Sequence, residues 1–113
     1  MAKYEIQVKG EFNHILSRLE DDITSSGVSM NLVDESVYEL GETKVAVRVY
    51  DKYFMRNGNR ASLNLTVVSQ GSQVFISAIG AGGGQGIIFN FSLGAESELV
   101  DIVRDSVESM ISG

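Results

Sequence analysis

The 113-residue sequence predicts a single α+β domain spanning residues 1–113, in the order β-α-β(4–5)-α. Two observations support this fold class. Apolar residues recur at every second position through most of the chain, as in half-buried strands. They recur at three- and four-residue spacing in two segments, as in surface helices. Because short turns separate the middle strands, we expect one antiparallel sheet with both helices packed on one face.

The first strand is predicted at residues 2–9, whose even positions are apolar and whose odd positions are polar. Gly10 ends this strand. A helix is predicted from about Glu11 to Ser26, because Phe12 begins an apolar stripe with helical spacing that continues to residue 23. Gly27 follows it at the place where a left-handed C-terminal cap is expected.

Alternation then returns and continues for about sixty residues. Residues 28–40 are predicted as one long strand with a bend at 34–36. A third strand follows, in which Val45, Val47 and Val49 are expected to face the core. The fourth strand includes residues 62–67. Residues 73–79 are apolar on both faces, as expected for a central strand or for one in an interface.

The segment Arg56–Asn59 predicts a β-hairpin. Because both flanking strands are expected to turn odd-numbered residues inward, facing residues must have numbers with an even sum. A two-residue loop would put Val49 opposite Thr66. A three-residue loop ending at Gly58 pairs Val49 with Leu65, and likewise residue 47 with 67. We therefore predict the three-residue loop, with Gly58 left-handed in a bulge.

The last strand is predicted at residues 87–93, with Gly94 as its break. The final segment has an apolar stripe from Leu99 to Ile111, which predicts a second helix. Glu96 and Glu98 fall in its first turn, where the helix dipole favours anions.

Composition excludes several kinds of chemistry. The chain has no Cys, so disulfides and thiolate sites are absent, and its single His cannot form a multi-histidine metal centre. We expect no metal and no cofactor. The net charge of −6 disfavours nucleic acid as a partner. The opening residues alternate between polar and apolar, unlike a signal peptide, and no apolar run reaches the ~20 residues that cross a bilayer, so we expect a cytoplasmic protein with no membrane partner.

The whole chain resembles a small bacterial family of unknown function. Three segments carry the likeness: the opening Ala2–Glu5, the strand from Val45 to Tyr50, and Asn59–Asn64. Ser77–Ile79, the following glycines and Phe89 complete it. The resemblance implies a cytoplasmic single-domain protein and supplies no activity or ligand. The element order is also similar to the TATA-binding-protein-like and helix-grip folds, in which a curved sheet wraps a C-terminal helix.

The segment Gly80–Gly86 is rich in glycine and includes Gly82, Gly83, Gly84 and Gln85. It does not match a dinucleotide-binding fingerprint, because Gln85 stands where the third glycine is required and a strand follows instead of a helix. Three interpretations remain open: a backbone nest for an anion, a flap over a ligand, or a wide hairpin loop.

A basic series is predicted on the outward face of one strand, where Lys44, Arg48 and Lys52 lie on the same side as Tyr50. Such a face suits an acidic small molecule or an acidic partner. The alternative is a solvated sheet face, which antiparallel sheets commonly have. His14, the single imidazole, is expected on the surface of the first helix.

Outward-facing apolar residues, including Val68 and Ile88, suggest a homodimer formed through the sheet face or an edge strand. The usual catalytic constellations are missing, although an enzyme is not excluded. The sequence thus favours a non-enzymatic binding or interaction module that forms homo-oligomers. The alternative is a carrier of an apolar or acidic small molecule, with Tyr4, Phe75, Phe89 and Phe91 lining a pocket between the sheet and the second helix, under Gly80–Gly86.

Overall fold

The computed structural model describes residues 2–54, 58–82 and 93–112. Seven elements follow one another in the order predicted for an α+β fold: β1 (Ala2–Lys9), α1 (Phe12–Thr24), β2 (Asn31–Leu40), β3 (Thr43–Phe54), β4 (Asn59–Gln70), β5 (Gln73–Gly82) and α2 (Leu93–Ser112). The five described strands form one curved antiparallel sheet in the order β1-β5-β4-β3-β2. The predicted fold class is therefore confirmed.

Strands β2 to β5 form the predicted meander, and β1 returns to pair with β5. Among the described strands, β1 and β2 are therefore the two edges of the sheet. Strand β5, which is apolar on both faces, lies between β1 and β4, as the sequence pattern indicated.

Both helices pack on one face of the sheet. Helix α2 lies over β1, β5 and β4, while α1 contacts α2 and β4. The core between the layers contains the fully buried Leu19, Leu65, Ile76, Leu99 and Val103. Each such side chain contributes about 1.5–3 kcal/mol through burial. The helices cover the β1 side of the sheet more fully than the β2 side.

Local hydrogen bonds fix the limits of α1. The Glu11 carboxylate accepts from the backbone N–H groups of Asn13 (3.1 Å) and His14 (2.9 Å), which caps the first turn. These backbone hydrogen bonds lower the pKa of Glu11 below its ordinary value. At the other end, α1 stops at Thr24 and not at the predicted Ser26, and its cap is Ser25, whose backbone N–H donates to Asp21 O at 3.0 Å. Gly27 lies beyond this cap, with a φ of 89° in the left-handed region expected for it.

The predicted inward face of β3 is wrong. Ala46, Arg48 and Tyr50 are buried on the helix side, whereas Val45 and Val47 are only half-buried and face away from the helices. Alternation shows that the two faces of a strand differ, but the helices decide which face is covered. Here the valines line the open face of the sheet.

The hairpin prediction fails for the same reason. Tyr53 pairs with Arg60, so that Val49 faces Asn64 and not Leu65. Residue 47 likewise faces residue 66 and not residue 67. Residues on the helix side are even-numbered on β3 and odd-numbered on β4, so the numbers of two facing residues must have an odd sum. The last pair, 54 with 59, leaves four residues in the connection instead of three. Gly58 does have the predicted left-handed conformation, with a φ of 71°.

Two further boundaries differ from the prediction. Strand β2 begins at Asn31, and its pairing with β3 shifts between Leu32 and Asp34, which leaves Val33 in a bulge. The bulge turns Leu32 to the helix side, opposite Tyr50, so it does not share a face with Leu40 as alternation suggested. The predicted last strand lies mostly outside the described residues, but α2 already begins at residue 93, so Gly94 is not a break.

Candidate functional site

The edge strand β2 is the most exposed element of the described structure. All ten of its residues are exposed. Its five large hydrophobic side chains remain largely in solvent: Leu32 (50%), Val33 (57%), Val37 (57%), Tyr38 (60%) and Leu40 (68%). Within the described residues, only β3 pairs with this strand, so its other side presents unpaired backbone N–H and C=O groups.

The opposite edge has a different character. The exposed side chains of β1 are Lys3, Glu5, Gln7 and Lys9, and its apolar residues pack against the core beneath α2. Charged side chains, especially lysines, discourage edge-to-edge pairing. Strand β2 contains no Lys or Arg. The two edges therefore differ in their readiness to pair with another chain.

The acidic residues of β2 are compensated from β3. Glu35 Oε2 accepts a hydrogen bond from Arg48 Nε at 2.6 Å, and Glu39 stands opposite Lys44 in the strand register. The third carboxylate, that of Asp34, accepts the backbone N–H of Glu35 at 2.8 Å. Two of the three carboxylates of β2 therefore have a cation beside them on the adjacent strand β3.

Arg48 links three elements beneath the helix layer. Its Nη1 lies 3.3 Å from Glu20 Oε1 on α1, without hydrogen-bond alignment. Burial alone would lower the pKa of Arg48, but its hydrogen bonds to Glu35 and Tyr50 and the charge of Glu20 outweigh burial and raise the pKa. Burial also raises the pKa of Tyr50, although the neighbouring Arg48 acts in the opposite direction. This cluster holds β2, β3 and α1 together.

The predicted basic face is therefore misplaced. Lys44, Arg48, Tyr50 and Lys52 do share one face of β3, but it is the helix side and not the outward side. Arg48 and Tyr50 are buried there. Lys44 lies 5.9 Å from the centre of the Phe12 ring, and Lys52 is half-buried. The reason is again the parity of β3, and a binding role for these residues stays a prediction.

The open face of the sheet, away from the helices, carries an apolar row. The pairing registers place Tyr38, Val45, Val68 and Phe75 side by side across β2, β3, β4 and β5. Val68 thus faces outward, as expected. Ile88, its predicted companion, lies outside the described residues.

The glycine-rich segment is described only at its start. Gly82 is exposed and ends β5 opposite Ala61. Gly83, Gly84 and Gln85 lie outside the described residues, so the choice among nest, flap and loop stays open. One part of the predicted carrier pocket is wrong. Tyr4 packs on the helix side of the sheet, whereas Phe75 faces the open side, because their strand positions have opposite parity. Phe89 and Phe91 fall outside the described residues.

The described residues show neither a cluster of metal ligands nor a helix that could cross a membrane. Among residues 2–54, 58–82 and 93–112, no three His, Asp or Glu side chains come together as metal ligands do. No helix in the same ranges has both the length and the hydrophobicity needed to cross a bilayer.

Sequence reasoning missed the β2 edge. Its signal was present in Val33, Val37, Tyr38 and Leu40, which place apolar side chains on both parities of a strand that also holds three carboxylates. Strands buried on both faces also have apolar residues on both parities, but they seldom contain so many charges. Such a mixture favours an edge strand.

Comparisons with known proteins identify a family without an assigned activity. The model of a "Family of unknown function (DUF6054)" matches residues 1–111. No curated protein matches the sequence. Among solved structures, the chain is similar to TTHA0849 from Thermus thermophilus, with 13% identity and a TM-score of 0.40. That alignment covers 96% of this chain and 94% of the other.

Proposed function

The chain belongs to this family of unknown function, and we propose that it is a non-enzymatic interaction module that forms homodimers through the edge strand β2. The observation that carries the proposal is the exposure of all ten β2 residues, with five large hydrophobic side chains among them. An uncovered strand edge of this kind is a template for pairing with another strand. The occupant we propose is the β2 strand of a second copy.

The length of β2 suits pairing with itself. Apart from the bulged Val33, the strand offers nine ladder positions to a neighbour, and Ser36 is the central one. Two antiparallel copies related by a two-fold axis at Ser36 would overlap over all nine positions. Side chains from the same face of each sheet would then stand opposite each other, as antiparallel pairing requires.

The charge pattern favours the same register. With Ser36 on the axis, Glu35 faces Val37 of the second copy and Asp34 faces Tyr38, so that no carboxylate faces another. Moving the axis to residue 35 would place two copies of Glu35 opposite each other. Moving it to residue 37 would place Glu35 opposite Glu39. Like charges directly opposite each other destabilise a strand pair, so full overlap and charge point to one arrangement.

This arrangement joins two five-stranded sheets into one sheet of ten strands. The helices of both copies lie on one face, and on the open face each apolar row ends at Tyr38, beside Asp34 of the second copy. Unpaired β2 backbone groups gain partners, and the uncovered side chains of the edge lose contact with water. Both changes stabilise the dimer.

The test compares an edge variant with a face variant by sedimentation equilibrium. Val37→Glu changes the edge at a side chain that is 57% exposed, and Ile79→Glu changes the open face of β5 at an apolar side chain that is 36% exposed. We expect a wild-type dimer, dissociation by Val37→Glu and retention of the dimer by Ile79→Glu. A monomeric wild type, or a dimer that only Ile79→Glu dissociates, would contradict pairing through β2.

A further inference from the structure

A second feature lies at the other side of the molecule, where α1, α2 and the end of β1 leave an open cleft of about 360 Å³. Its floor is formed by the buried side chains of Ile15, Ile76 and Val107, and Met110 lies beside them. Small-molecule sites typically have volumes of about 300–1,000 Å³. The cleft therefore has room for a small ligand, with polar groups in its accessible wall and apolar side chains at its floor.

The polar residues of this cleft are all nitrogen donors. Lys9, His14 and Arg18 line it, and no Asp or Glu does so among the described residues. This is unusual for a chain with 15 acidic and 9 basic residues and a net charge of −6. Neither Lys9 nor His14 forms an ion pair with another described residue, although the carboxylate of Glu11, at the start of α1, interacts electrostatically with His14.

Arg18 is held in place at the side of the cleft. Its Nε donates to Asp22 Oδ2 at 3.2 Å, and its Nη2 donates to Ser109 Oγ on α2 at 2.9 Å. Asp22 Oδ2 also accepts from Ser106 Oγ at 2.6 Å. These bonds tie the two helices together and keep the guanidinium beside the apolar floor, so part of the site is built before a ligand arrives.

From this juxtaposition of nitrogen donors and an apolar floor, we propose that the cleft binds a small monocarboxylate whose body is a short hydrocarbon chain. The carboxylate would sit among Lys9, His14 and Arg18, and the hydrocarbon would cover Met110 and Ile111. The site lies beside β1, at the opposite edge of the sheet from β2. Ligand binding is therefore independent of the proposed dimer and can be measured whatever the oligomeric state.

The test uses octanoate and two matched probes. 1-Octanol has the hydrocarbon chain without the charge, and acetate has the charge without the chain. Isothermal titration calorimetry gives the affinities, and the NMR signal of the Met110 methyl group reports the location. We expect octanoate to shift this signal saturably and to bind about tenfold more tightly than 1-octanol, because charge-assisted hydrogen bonds contribute about 1.5–3 kcal/mol. Acetate should give no saturable shift.

Matched variants separate charge from hydrophobic contact. The exposed pair Lys9→Gln and His14→Gln, combined in one protein, should weaken octanoate binding by about five- to tenfold. Lys3→Gln removes a similar charge from the same strand outside the cleft and should leave the affinity unchanged. Met110→Trp should fill the cleft and abolish binding. Equal affinities for octanoate and 1-octanol, no effect of the double variant, or no saturable binding at millimolar octanoate would overturn the proposal.

Discussion

In the register proposed for the β2 dimer, the sign of a charge introduced in place of Val37 should determine how tightly the two copies bind. This side chain is 57% exposed, so replacing it by Lys or by Glu should affect the isolated fold to a similar extent. In the dimer it faces Glu35 of the second copy, and the two-fold axis produces this contact twice. A cross-strand pair contributes about 0.2–1 kcal/mol. Changing a like-charge pair into an opposite-charge pair should therefore change dimer stability by about 1–2 kcal/mol, or about 5- to 30-fold in Kd.

Sedimentation equilibrium over a range of protein concentrations measures this difference directly. We expect Val37→Lys to dimerise more tightly than Val37→Glu, and the gap to shrink in high salt as the charges are screened. Urea unfolding at low protein concentration serves as the control for the fold of each variant. Equal dissociation by both substitutions would refute the register, because an axis at residue 37 places like charges opposite each other in either variant.

Three other substitutions test contacts inside the fold, one between α2 and β5 and two around Arg48. Gly80→Ala would place a Cβ atom 2.7 Å from the backbone oxygen of Glu96. We expect the free energy of unfolding to fall by about 1–3 kcal/mol and the calorimetric Tm to fall by at least about 4 °C, whereas an unchanged Tm would contradict the close approach of α2 to β5. Glu35→Gln should lower the free energy of unfolding of the monomer in urea by about 1–2 kcal/mol, which is less than for a fully buried ion pair because Glu35 is 36% exposed. An unchanged free energy of unfolding would show that the hydrogen bond to Arg48 does not stabilise the fold. Burial raises the folded-state pKa of Tyr50 above 10.0, so its contribution to stability should be intact below pH 10.0 and should be lost as the pH rises through the folded-state pKa. Tyr50→Phe should therefore reduce the fall of the urea midpoint at high pH, and an identical fall in both proteins would refute this assignment.

The sequence predicts the element order because periodicity depends on local geometry. Residues 2–9 alternate over a half-buried strand, and the stripe that begins at Phe12 belongs to a helix, as the structure shows. Gly27 and Gly58 both adopt the left-handed conformation expected for them. These features need only the neighbouring residues, so one sequence is sufficient to predict them.

Which face of β3 is covered depends on distant parts of the chain. Val45, Val47 and Val49 are more hydrophobic than Lys44 and Arg48, which makes the odd positions the natural choice for the core. The helices pack on the other face, where Arg48 is buried with Glu20 and Glu35 as partners. Those partners come from α1 and β2, and no periodicity within β3 indicates them. The hairpin register and the misplaced basic face follow from this one error.

The candidate site was predictable only in outline. The sequence suggested association through a face or an edge, but it did not select β2, because the exposure of Val37 and Leu40 depends on the position of the strand in the sheet. The cleft beside β1 was also hidden, since Lys9, Arg18 and Met110 are far apart in the sequence. His14 was predicted to lie on the surface, and its place among those residues required the packing of α1 against α2.

Hydrogen–deuterium exchange of the wild-type protein, measured at micromolar and at millimolar concentration, tests pairing through β2 most directly. The backbone amides of residues 31–40 that point away from β3 have no partner among the described residues. Pairing with a second copy would give alternate amides hydrogen-bond partners and slow their exchange in the concentrated sample, while the β1 amides would exchange equally in both. Equal exchange of β2 at the two concentrations, in a sample that sediments as a dimer only when concentrated, would contradict the account.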